Sequence, residues 1–85
     1  MNRNILKKQI DEMKNVLDRV SISSKEGSEV LNMAKAYLKD AEYFLNKGDL
    51  FRAVEAYSIS WAYIDAGIHF NAFNVPKEFI KIFTV

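Results

Sequence analysis

Between two long amphipathic stretches this chain has only three residues of connection, Lys47-Gly48-Asp49. Gly48 suits the left-handed position just past a helix end, and Asp49 carries the side-chain oxygen that caps a following helix. A link that short leaves the flanking helices one arrangement, an antiparallel hairpin. The periodicity predicts the first of them over about residues 25–47, with Val30, Ala34, Tyr37, Ala41, Phe44 and Leu45 on one face. Asn32, Lys35, Lys39, Glu42 and Asn46 fall on the other, and Ser23 or Ser24 is the expected N-cap. The second runs over about 50–70, on a main stripe of Leu50, Ala53, Val54, Tyr57, Trp61, Ile64 and Ile68.

A further helix is expected over about 3–20. Leu6, Ile10, Met13, Leu17 and Val20 share a stripe, with Lys8, Asp11, Asn15 and Arg19 opposite. The fold class is therefore all-α: one domain, residues 1–85, an antiparallel up-down-up three-helix bundle. Asn74-Val75-Pro76 interrupts the last helix, because proline disfavours helical geometry in the residue before it. The tail 74–85 carries Phe79, Ile80, Ile82, Phe83 and Val85, and is expected as a helical turn and an extended end packed on the third helix.

That third helix has a second apolar line on its reverse side: Ile59, Tyr63, Ala66 and Phe70. A helix apolar on two sides must be covered on two sides or present an interaction surface. These four residues are the candidate interaction face. The tail is one expected cover, a second copy or a partner protein the other.

The chemistry a chain of this composition can carry is limited. It has 85 residues, no cysteine, one histidine and a net charge of +1. No thiolate nucleophile or disulfide framework exists, and one histidine without cysteine closes no zinc site. A charge so near zero gathers neither nucleic acid nor an anionic membrane. No segment has the roughly 18 apolar residues of a membrane span, and the charged start does not resemble a signal peptide. The expected compartment is the cytoplasm.

Asp65 and His69 stand four apart on one helical face, a spacing used by metal ligands and acid–base pairs, yet two groups do not complete a metal site. Asp40 and Asp65 fail as a hydrolytic pair. Counted out from the hairpin, they lie roughly 14 Å apart along the axis at 1.5 Å per residue, too far for either glycosidase geometry. The same count sets Asp65 near the start of the second helix, where its carboxylate is expected to meet that N-terminus or a basic residue of the first helix. Ser58 and Ser60 have no base at helical spacing, and the three glycines form no phosphate loop. One Gly-Asp hairpin resembles a tetratricopeptide unit, but an array needs about three copies at a period near 34. Asp40, Asp49, Arg52, Asp65 and His69 are thus read as structural polar anchors. No catalytic residue, cofactor or metal is expected.

Several of these residues fall in a recognisable run: Asp40-Ala-Glu-Tyr-Phe44, Lys47-Gly-Asp49, Arg52-Ala53, Trp61 and Asp65-Ala-Gly67, preceded by Gly27-Ser-Glu-Val-Leu-Asn-Met-Ala34. The run resembles the archaeal family called domain of unknown function 357, over about residues 25–70. The resemblance implies a small archaeal, cytoplasmic three-helix bundle akin to spectrin-like folds, and it implies no activity. Asp40, Gly48, Asp49, Arg52, Trp61, Asp65 and Gly67, the matched positions, are read as hairpin architecture. The functional expectation is a non-enzymatic protein-interaction or assembly module. The alternative is an accessory nucleotide- or RNA-binding domain using Arg3, Lys7, Lys8, Lys14 and Arg19 of the first helix.

Overall fold

A computed structural model of the chain describes residues 1–79. Helix α1 spans Arg3–Asp18, strand β1 Ser21–Ile22, helix α2 Lys25–Asn46, helix α3 Leu50–His69 and strand β2 Phe73–Asn74. The three helices form the expected bundle. Of the tail, Ile80, Ile82, Phe83 and Val85 lie outside the described residues.

Each helix begins on a side-chain cap. Asn2, Ser24 and Asp49 accept from the backbone N–H groups of Ile5, Gly27 and Arg52 at 2.9, 3.0 and 3.1 Å. The hairpin turn closes as its sequence dictates. Gly48 takes φ +80°, its N–H donates to the Leu45 carbonyl at 3.1 Å, and the Asp49 N–H donates to Phe44 at 2.9 Å. That pair of bonds is a Schellman motif, satisfying two carbonyls the helix end would leave open.

Helix α1 buries Leu6, Ile10, Met13, Val16 and Leu17, while Val20 lies past its end, half-buried. The buried stripe of α2 is Gly27, Leu31, Ala34, Leu38, Ala41 and Leu45. Val30, Tyr37 and Phe44, expected inside, are half-buried at its edge. Helix α2 is shared by α1 and α3, so its buried arc is rotated one residue toward Leu31 and Leu38. On α3 the correction is larger. The buried residues are Ala53, Ala56, Ser60, Ile64 and Gly67, while Leu50, Val54, Tyr57, Trp61 and Ile68 are only partly covered. The closest packing is between α2 and α3, with α1 lying more on α2 than on α3. Small side chains let the hairpin helices approach, and the large ones flank them. The buried Ser60 hydroxyl donates to the Ala34 carbonyl of α2 at 2.7 Å.

Past α3 the chain turns back through a second Schellman motif, with Asn71 at φ +56° in the left-handed position. The Asn71 and Ala72 N–H groups donate to Ile68 and Gly67 at 3.2 and 2.8 Å. The reversal seats Phe73, 1% exposed, against Gly67, where a Cβ would overlap its ring. A Cβ on Gly27 would overlap the Ala72 carbonyl oxygen. Gly67 therefore belongs to this end of the bundle, and not to the hairpin. Strands β1 and β2 pair antiparallel, Ser21 with Asn74 and Ile22 with Phe73, an element the sequence patterning does not announce. Beyond them, Phe79 lies under the Arg19 guanidinium at 5.1 Å, and Glu78 pairs with Arg19 at 2.5 Å. The described tail thus packs beside the end of α1.

Candidate functional site

The reverse side of α3 is open among the described residues. Phe70 is 82% exposed and Ile59 36%, with Ala66 exposed between them. Tyr63 is half-buried because its ring stacks on Tyr37 of α2, centroids 5.8 Å apart and planes 16° from parallel. A shallow depression of about 380 Å³ is lined by Ser58, Ile59, Ala62, Tyr63 and Ala66. Through Ala62 and Ala66 it adjoins a second of about 450 Å³, which reaches Trp61, Asp65, His69 and Phe70. No charged residue stands between Glu55 and Asp65, so the surface is apolar over more than two turns.

Sequence reasoning found Ile59, Tyr63, Ala66 and Phe70, and missed Ser58 and Ala62. Their signal is spacing: Ser58, Ala62 and Ala66 recur every fourth residue and flatten the middle of the face. Neither serine is a nucleophile here. The Ser58 hydroxyl donates to the Val54 carbonyl at 2.9 Å, and that of Ser60 is held by Ala34.

The polar anchors divide. Asp49 caps α3 and also meets Arg52 Nε at 3.6 Å, while the Arg52 guanidinium lies 5.9 Å from the centroid of the Phe44 ring. Asp40 is exposed on α2 and has no hydrogen bond or ion pair among the described residues. It points to water beside the buried Ala41 and anchors nothing. Asp65 meets neither the start of α2 nor a basic residue of α1. Its Oδ1 lies 3.3 Å from His69 Nδ1 on its own helix. That nitrogen is closer, at 3.0 Å, to the Asp65 backbone carbonyl, and the buried Oδ1 accepts no hydrogen bond. The i,i+4 geometry favours this local partner, and a histidine on the last residue of a helix suits the negative end of its dipole. No group of three or more His, Asp or Glu side chains able to hold a metal occurs among the described residues.

The cations of α1 are largely occupied. Lys7 pairs with Asp11 at 3.2 Å, Lys14 with Glu42 at 2.5 Å and Arg19 with Glu78. The Glu42 hydrogen bond raises the Lys14 pKa above the ordinary lysine value. The groove between α1 and α2 gathers Lys14, Lys35 and Lys39, but Asp18 and Glu42 line it too and offset most of the positive charge a phosphate chain needs. On the far side of α1, Gln9 and Glu12 face Tyr57, Ser58 and Trp61 across a second groove. Burial, and next the charge of Glu12, push the Tyr57 phenol above its usual range.

Fold and surface together define a class: a small three-helix bundle with a packed hairpin and an open apolar side on its last helix. The chain belongs to the family described as Protein of unknown function (DUF357), whose sequence model matches residues 3–73. The fold is shared by the crystal structure of protein AF1782 from Archaeoglobus fulgidus, of the same family. It is 24% identical, with a TM-score of 0.76 over 87% of this chain and 92% of that one. Among curated proteins none is similar enough to match. No helix among the described residues is long and apolar enough to cross a membrane.

Proposed function

We propose that this chain is a non-enzymatic interaction module whose reverse α3 face, centred on Ala62, docks another folded protein surface. The observation that carries it is the exposure of Ile59 within the charge-free run 56–64 of α3, and of Phe70 beyond Asp65. An apolar surface rimmed by polar residues, here Glu55, Asp65 and His69, is the pattern of an interaction site. The compartment inferred is the cytoplasm, where a fold held by packing without disulfides is usual.

A photoreactive residue at position 62, compared with one at Lys35 on the opposite side of the bundle, tests this in the native host. A protein adduct formed only from position 62, and lost on Phe70→Ser, is the expected result. Adducts from neither position, or equally from both, would remove the proposal.

A further inference from the structure

Resting on that docking reading, we propose that the occupant is a second copy of this chain, with two α3 helices packed antiparallel about a two-fold axis at Ala62. Among the exposed residues of α3, Glu55, Ser58, Ala62, Ala66 and His69 share one line along the helix, with Ile59 beside it. A two-fold axis at Ala62 sets each position opposite the one equally far on the other side. Ser58 then faces the second copy's Ala66, and Glu55 faces the second copy's His69. Both pairs occur twice, as an isologous interface requires.

The pattern is self-complementary in size and in polarity. Ser58, Ala62 and Ala66 let two backbones approach, while Ile59 enters between the second copy's Tyr63 and Ala66. Acid meets histidine at both ends. A parallel pair would instead put Glu55 on Glu55 and Asp65 on Asp65, like charges in contact. In the antiparallel pair the two Asp65 side chains stand roughly 9 Å apart along the axis, from six residues at 1.5 Å each. The exposed Phe70 stands level with the second copy's Val54, beside its Glu55. One helix face of about 30 Å is a small interface, so the dimer is reversible and micromolar or weaker.

Sedimentation equilibrium of the full chain, from micromolar to millimolar concentration, should show a monomer–dimer equilibrium. His69→Glu sets acid against acid and should weaken association at least tenfold, and the double variant E55K/H69E should recover it. Ala62→Cys, on the axis, should form an intermolecular disulfide under mild oxidation, whereas cysteine at Lys35 should not. A wild-type chain monomeric throughout, or a double variant no better than H69E alone, would overturn the inference. If position 62 still crosslinks to a different protein, the docking face survives without the dimer. If it crosslinks to nothing, both fall.

Discussion

The two sides of α3 are made from the same kinds of residue and end in opposite environments. One carries Ala53, Ala56, Ser60 and Gly67 with Ile64, all buried. The other carries Ser58, Ala62 and Ala66 with Ile59, Tyr63 and Phe70, mostly open. What separates them is the opposing surface. The buried side meets Ala34 and Ala41 of α2 within one core, with the Phe73 ring seated on Gly67 and a carbonyl placed for Ser60. Among the described residues, the open side has the Tyr37 ring against Tyr63. Apolar content therefore does not say which side of such a helix is core; steric and polar complementarity does.

The sharpest break between the sides is at Phe73. Phe73→Ala should cost about 3–5 kcal/mol in urea unfolding, a large share of the stability of a domain this small. Phe70→Ser, three residues earlier, should stay within about 0.5 kcal/mol. A comparable loss at both positions would mean that the open face is structural. A matched pair inside α3 sharpens the contrast. Ala56→Leu should cost about 1–3 kcal/mol by overpacking, whereas Ala62→Leu should leave stability within about 0.5 kcal/mol. The serines repeat it on a smaller scale. Ser60→Ala loses a buried cross-helix bond and should cost about 1 kcal/mol, while Ser58→Ala should be neutral or slightly stabilising.

The smallest effect concerns Tyr57, on the flank between the two sides. Burial raises its folded-state pKa, so the folded chain holds the phenol proton after the unfolded chain has released it. Its contribution is intact below the unfolded value of about 10 and is lost as pH rises through the folded value. Tyr57→Phe should match wild type at pH 7 and show a shallower loss of thermal stability above about pH 10.

How much of this was legible in the sequence follows from how local each feature is. The hairpin was readable because Gly48 and Asp49 act on the backbone within four residues of themselves. The α1 stripe was readable because one side of that helix is core and the other water. On α3 the large side chains drew the eye to Tyr57 and Trp61, while Ala56, Ser60 and Gly67 made the closest contact. The Phe73 seat was not readable at all, since it needs Gly67, Gly27 and Ala72 brought together from separate elements. Of the open face, Ile59, Ala66 and Phe70 stood out by lying opposite an apolar stripe. Ala62 and Ser58 did not, because small near-neutral side chains carry little hydropathy signal. For Asp65 the sequence offers two neighbours, the start of α2 by the hairpin count and His69 one turn along, and the structure places it beside His69.

Amide chemical shifts of the full chain, followed from millimolar concentration down by dilution, test the pairing of two open α3 faces most directly. The account predicts shifts confined to the outward line of α3, from Glu55 through Ser58, Ile59, Ala62, Tyr63 and Ala66 to His69 and Phe70, with α1 and the far side of α2 unmoved. Concentration-dependent shifts centred on Lys14, Lys35 and Lys39, or none anywhere on α3, would contradict it.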